Sequence, residues 1–406
     1  MRKKENRLKT AAFVLSAGVF FGVCPSIVLA DEPGEWREEN GSLYWYENGI
    51  KQGTEGRGKE IYDPASDGWY WLDAIDGGKK AVGKDVYQES WAGSYADHED
   101  GTGKWVRYDT SGKMVKGWDV TERGTYYFDQ TTGAMAKGET EIDGIPCIFD
   151  RETGIGWNLQ WQEREGARYW YEGGKRQGLE GRGKEIYDPA SDAWYWLDSD
   201  AQGKMAVNKD VYQPYTIQGQ DETGKWVRYD ENGHMIKGWN TNDNGTYYFD
   251  LTTGAMYKGK VIIDGVSCVF DDNTGIGVDC KWLEFDGVKY WYEGGRRQGL
   301  EGRGKEIFDP ASNAWYWLDA IDGGKMAVNK DVYQESDGGK WVRYDANGHM
   351  VKGENCKDNA WYRFDEVTGA MVKGWYTTND RNGKQIYYYY DENNGKMVKG
   401  EATIGG

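Results

Sequence analysis

Aromatic and polar residues alternate along this chain in short runs, and each run stops at a cluster of Asp, Asn or Gly. Residues 181–198 show the pattern most plainly: Gly-Arg-Gly-Lys-Glu-Ile-Tyr-Asp, then Pro-Ala-Ser-Asp, then Ala-Trp-Tyr-Trp-Leu-Asp. Two apolar runs around a turn-forming segment predict a β-hairpin. Residues 56–73 repeat the stretch with Gly68 for Ala193, and residues 302–319 with Phe308 for Tyr187 and Asn313 for Asp192. Weaker variants of about 20 residues fill the rest, near the short end of solenoid periods. They include Lys-Asp-Val-Tyr-Gln (from Lys84, Lys209 and Lys330), Gly-Lys-Trp-Val-Arg-Tyr-Asp, Gly-Thr-Tyr-Tyr-Phe-Asp and Ile-Asp-Gly…Cys-x-Phe-Asp. No segment carries an i, i+3, i+4 apolar stripe of useful length, so helix is not expected.

Tyr-Trp-Tyr-Glu recurs at Trp45, Trp170 and Trp291 and registers three long repeats, residues 31–157, 158–278 and 279–406. One hairpin buries too little to stand alone; stacked hairpins share a core, and stability sums over neighbours. The fold expected is all-β, an elongated solenoid of stacked β-hairpin repeats, with residues 31–43 as a leader or cap. The third repeat departs after Gly353, where Trp361-Tyr362-Arg363-Phe364-Asp365 suits an atypical terminal unit. The near-identical 181–198 hairpins read as scaffold, with Tyr187, Trp194 and Trp196 mainly packing. The segment following Lys-Asp-Val-Tyr-Gln differs in length between copies, as a projecting surface loop does.

Residues 1–30 stand apart from this pattern. Arg2, Lys3, Lys4, Arg7 and Lys9 precede an apolar run from Ala11 to Val23, and Val28-Leu29-Ala30 offers small residues for cleavage. This reads as a secretory signal peptide; Phe21-Gly22-Val23 before Cys24 fits lipoprotein attachment poorly. No later apolar run approaches the ~20 residues of a membrane span. The expected product is secreted, without membrane insertion, and held non-covalently at the cell surface.

The full chain carries a formal charge of −17; the leader's five basic and one acidic residues contribute +4, leaving −21 beyond it. An acidic surface argues against nucleic acid and anionic lipid and is compatible with cationic ligands or neutral polymers. Apolar content is 38% and mean hydropathy −0.85, low for one large core. Yet 21 Trp and 30 Tyr are present, and disordered chains are poor in aromatics. Small units stapled by rings reconcile the two. Cys147 and Cys268 occupy equivalent repeat positions, far apart in a linear array, so a buried free thiol is favoured over a disulfide.

Catalytic signals are absent. The three histidines, His98, His234 and His349, form no metal-spaced pair, and neither nucleophile elbow nor phosphate loop occurs. Acidic pairs are too frequent in the turns to single out a glycosidase pair. Asp271-Asp272-Asn273-Thr274-Gly275 lacks the spaced ligands and terminal Glu of an EF-hand loop. No enzyme, cofactor or metal is called for.

The stretch Gly-Lys-Trp105-Val-Arg-Tyr-Asp…Gly-Lys-Met114-Val-Lys-Gly-Trp118 resembles the cell-wall-binding repeat of choline-binding proteins. It is similar also to the glucan-binding repeats of secreted glucosyltransferases and the repetitive regions of large bacterial cytotoxins. The resemblance covers essentially the whole chain after the leader, most loosely at the 56–88 type of unit. It implies ligand sites between successive hairpins, where Trp, Tyr and Met form a cage for a quaternary ammonium; aromatic faces attract such a cation. Carried over, the candidates are Trp105, Met114, Trp118 and Tyr127 in copy one, and Trp226, Met235, Trp239 and Tyr248 in copy two. Copy three contributes Trp341, Met350, Trp361, Met371 and Trp375. Thr125, Thr246 and Glu354 stand where a cage Trp is expected, so few complete cages are implied. The implied partner is a bacterial cell-wall polymer, either choline-bearing teichoic acid or a glucan-type glycan. A choline-independent lectin-like adhesin or a structural surface spacer are the alternatives.

Overall fold

A computed structural model describes residues 34–89, 103–215, 223–335 and 338–401. The leader, His98 and most of the length-variable loops lie outside the described residues. The chain divides into two compact units, one holding Met1–Gln160 and Tyr171–Arg176, the other Trp161–Trp170 and Gln177–Gly406. Both are runs of antiparallel β-hairpins, and the described residues contain no α-helix; short 3₁₀ turns occur at Ala74–Asp76 and Ser199–Ala201.

Five hairpin types follow one another, here called A to E. In the first unit A is Glu35–Glu39 with Ser42–Glu47, B is Gly58–Asp63 with Gly68–Asp73, and C is Lys84–Glu89 with Gly103–Tyr108. D is Gly117–Thr121 with Gly124–Phe128, and E is Gly138–Ile142 with Ile145–Phe149. The described part of the segment expected to be a leader or cap forms the first strand and turn of a regular hairpin. Trp36 faces Trp45 across it, as Trp282 faces Trp291 in the third copy, and burying Trp36 against Tyr70 holds the strand in place.

The two-residue strand Lys79–Lys80 bonds both Tyr44 and the Gly68–Asp73 strand, so A and B share one six-stranded sheet. In the second unit the third copies of A (Lys281–Phe285, Val288–Glu293) and B (Gly304–Asp309, Ala314–Asp319) do the same. There the sheet also takes in the E hairpin Gly259–Ile263 with Val266–Phe270. C and D hairpins are separate two-stranded ribbons.

Stacking is made by the segment that leaves each hairpin. It returns past a tight turn in which an Asp side chain accepts backbone N–H groups, as Asp109 does from Ser111 and Lys113. It then docks on the previous hairpin: the Met114 N–H donates to the Trp69 carbonyl, Met135 to Trp105, Met256 to Trp226 and Met371 to Trp341. The thioether of each such Met runs under the glycine that turns the next unit. Gly133 and Gly254, both at positive φ, have a Cβ position that falls on the sulfur of Met114 and Met235. A side chain there would be both strained and excluded, which fixes Gly in the repeat.

The core is a series of small clusters. Trp196, Ala206, Val211, Val227 and Tyr229 form one, and Trp317, Ala327, Val332, Val342 and Tyr344 its counterpart. Small units with few aliphatic residues are thus closed by rings, each large enough to span two hairpins.

Candidate functional site

The Asp-Pro-Ala-Ser turn of each B hairpin is a clamp. Asp188 accepts the Trp161 indole N–H at 3.0 Å, the Ser191 hydroxyl at 2.9 Å and the Ala190 N–H at 2.9 Å, while Tyr195 donates to Ser191 at 2.9 Å. Asp63 and Asp309 repeat the pattern with Trp36 and Trp282. Burial pushes these carboxyls up, but the converging donors outweigh it and hold them below the usual carboxylate range. The clamp pins the edge of each A-hairpin Trp.

The 181–198 hairpin is only partly packing. Trp196 is buried under the next hairpin, whereas Trp194 and Tyr187 face each other at 5.3 Å and stay about two-fifths exposed. Trp194 sits beside the turn, past the reach of the residues that cover Trp196. Tyr62 with Trp69 and Phe308 with Trp315 are equivalent exposed pairs, and Trp226 and Trp341 project similarly from C hairpins.

The residues carried over from the cell-wall-binding pattern fall into distinct neighbourhoods. Met114 is buried with Trp71, Val86 and Tyr108, Trp105 packs on Tyr126, Phe128 and Met135, and Trp118 lies with Tyr127, Phe149 and Cys147. Met235 and Met350 likewise pack into the clusters of Trp196 and Trp317. The Met371 sulfur runs beside Gly395. The thioethers that the pattern aimed at a ligand are thus inter-hairpin packing, drawn inward by the glycine above them.

What the structure does bring together are cross-strand ring pairs in register. Trp118 and Tyr127 stand 5.0 Å apart, Trp239 and Tyr248 5.0 Å, and Trp375 and Tyr389 5.1 Å. The first two pairs are covered by the chain's own cations: Lys175 Nζ lies 4.0 Å from the Trp118 ring, and the Arg296 guanidinium 5.1 Å from Trp239. Burial also raises the Tyr127 and Tyr248 phenols. These cations escape a repeat-by-repeat reading, because they come from Gly-Gly-Lys-Arg and Gly-Gly-Arg-Arg in the following A hairpin.

The third pair differs. Trp375 is 63% exposed, and Trp361, whose carbonyl accepts the Met397 N–H, is 39% exposed. Among the described residues no Lys or Arg lies over Trp361, Trp375 or Tyr389. Tyr389 and Met397 were not among the residues picked out by the pattern.

Ionic groups occupy the corresponding slots elsewhere. Arg107 grips Asp85 through two bonds of 2.7 and 2.9 Å and lies 4.0 Å over Tyr126; Arg228 and Arg343 repeat this. Glu354 faces Arg363 at 3.2 Å. Among the described residues no group of three His, Cys, Asp or Glu is arranged to hold a metal, and the Asp271 Oδ1 oxygen accepts from Asn273, Thr274 N–H and the Thr274 hydroxyl. No helix among them is long and apolar enough to cross a membrane. Cys147 and Cys268 are free and buried.

Fold and ring sites together define a β-hairpin repeat protein whose accessible chemistry is aromatic. The choline-binding repeat model matches residues 101–139, 220–260 and 335–376, each covering the second strand of a C hairpin and the D hairpin after it. Over these three segments the chain is similar to choline-binding repeats. Glucosyltransferase-S of Streptococcus downei is 27% identical over 234 residues, 50% of this chain and 16% of that enzyme. Glucosyltransferase-S of Streptococcus mutans is 25% identical over 314 residues, 71% and 16%. The chain thus spans 16% of the length of either enzyme, in their non-catalytic repeat portion. Among solved structures, the modular autolysin LytC of Streptococcus pneumoniae is 22% identical with a TM-score of 0.36, covering 64% of this chain and 50% of that one. Choline binding protein F of Streptococcus pneumoniae is 18% identical with a TM-score of 0.29, covering 90% and 99%.

Proposed function

We propose that this chain attaches to a bacterial cell-surface polymer through aromatic sites between hairpins, as a secreted protein held non-covalently, with residues 1–30 as its signal and three long repeats after it. The observation that carries the reading is the uncovered pair Trp375 and Tyr389, linked to exposed Trp361 by the returning segment whose Met397 and Val398 N–H groups donate to the Trp361 and Tyr389 carbonyls. A fixed ammonium over such rings gains about 0.5–2 kcal/mol per contact, so one site is weak and repetition along a polymer supplies the avidity.

Choline on teichoic acid is the ligand this site fits best. The exposed ring pairs of the B hairpins, Tyr62/Trp69, Tyr187/Trp194 and Phe308/Trp315, favour a second reading, stacking on the sugar rings of a glucan. Calorimetric titration of the secreted chain with choline chloride and with dextran separates the two. Choline heat that disappears in Trp375→Ala supports the first; dextran heat unaffected by that change supports the second. Silence toward both, with no retention on isolated cell walls, rejects polymer attachment.

A further inference from the structure

The corner between A and B hairpins is built three times, and the copies differ in what faces its rings. In copy one Lys80 Nζ lies 4.3 Å from the Tyr70 ring and 4.7 Å from Trp36, and its stem runs beside Gly112. In copy three Met326 replaces Lys80, and its thioether runs beside Gly348 in the same way. A methionine side chain follows a lysine for four heavy atoms and lacks only the terminal ammonium. Copy two also has methionine, Met205, but there the Arg168 guanidinium lies 4.5 Å over Trp161. Copy three has Lys289 in place of Arg168, and among the described residues no Lys or Arg lies over Trp282 or Tyr316.

The copy-three corner is a cavity of about 920 Å³ bounded by Trp282, Tyr316, Met326 and His349. His349 stands edge-on to Tyr316 at 5.3 Å as one wall. Asp309 forms an anionic floor, and its bonds to Trp282 and Ser312 fix the indole edge. The other lining charges are Lys289, Lys325, Lys330, Asp319 and Asp322; Lys330 is tied to Asp319 and to Asp322 at 3.1 Å. A volume in the range of small-ligand sites, about 300–1,000 Å³, exceeds what one ammonium group fills. Asn347, Ser312 and Asp322 supply hydrogen-bonding groups around the remainder.

We infer that this cavity binds a primary ammonium carried on a hydroxylated ring, an amino sugar, with its ammonium over Trp282 and Tyr316 where copy one places Lys80. This site is separate from the Trp361/Trp375/Tyr389 site and does not depend on the polymer reading. The test titrates glucosamine hydrochloride into the full secreted chain and follows the Trp282 indole ¹⁵N–¹H resonance, assigned with Trp282→Phe. The expected result is a saturable shift that glucose does not produce, retained in Trp375→Ala. Met326→Lys installs the copy-one side chain in a context that already accommodates it, and it should raise the apparent Kd at least tenfold. No saturable shift, an equal response to glucose, a response to tetramethylammonium alone, or an unchanged Kd in a folded Met326→Lys chain overturns the inference.

Discussion

Replacing Asp188 by Ala removes the acceptor on which the second B hairpin closes. Asp188 is 5% exposed and receives the Trp161 indole, the Ser191 hydroxyl and the Ala190 N–H. Hydrogen bonds to a charged group contribute about 1.5–3 kcal/mol each, and an orphaned buried donor costs about 1–3 kcal/mol. The two side-chain partners share one carboxylate, so their losses are not additive, and the change should cost about 3–5 kcal/mol. At 1.4 kcal/mol per tenfold, opening of the hairpin formed by Gly183–Asp198 should become roughly 10²–10³ times more frequent. Hydrogen exchange of its ladder amides reads this directly. Asp188→Asn keeps one acceptor and should cost about 1–2 kcal/mol. The carboxyl is held below its ordinary value when folded, so its contribution is fully present above the unfolded value of about 3.9 and is lost as pH falls through the folded value. Wild-type protection should therefore drop on acidification below about pH 4, and Asp188→Asn should flatten that limb. Exchange accelerated less than about tenfold in Asp188→Ala, or an acid limb unchanged in Asp188→Asn, would refute the clamp.

Lys175→Ala should uncover the Trp118/Tyr127 pair, and Arg296→Ala the Trp239/Tyr248 pair; each should add one choline site by calorimetric stoichiometry, and unchanged stoichiometry in both would show that these cations do not screen the rings. Arg343, 4% exposed and doubly bonded to Asp331, leaves a carboxylate unpaired when changed to Ala, which should cost about 3–5 kcal/mol, seen as a lower urea midpoint. Burial pushes the Cys147 thiol up to about 11 and raises that of Cys268, while Cys280 and Cys356 are exposed. Burial and the neighbouring Asp279 also raise the Cys280 thiol, so Ellman's reagent at pH 8 should react first with Cys356, then more slowly with Cys280, and the buried pair should follow on denaturation.

The hairpins were legible because their signals are local. Alternation, Asp turns and obligatory Gly lie within one unit, and the strands of the 181–198 hairpin follow directly from them. What escaped was decided between units. The first A strand, Glu35–Glu39, carries only Trp36 as an apolar anchor, and its place depends on Asp63, 27 residues away. Met114 was carried over as a ligand group from the cell-wall-binding pattern, yet its thioether packs under Gly133 of the next turn. Trp194 and Trp196 share a strand face by parity, and only the extent of the neighbouring hairpin's cover makes one exposed and the other buried.

Slot residues differ between the three copies while the B hairpins stay nearly identical, and the reason is energetic. An aromatic slot between hairpins is half-open, so it is stabilised by any cation that reaches it, whether from a ligand or from the chain. Lys80, Arg168, Lys175 and Arg296 each satisfy a slot from within, tethered and therefore at high effective concentration. One substitution such as lysine to methionine at 326 leaves the hairpin intact, because the shared four-atom stem still packs beside its glycine, while exposing the rings. Occupancy of the slots can thus change residue by residue without disturbing the stack. The uncovered positions, at Trp282 and at Trp375, are accordingly where ligand chemistry is to be sought.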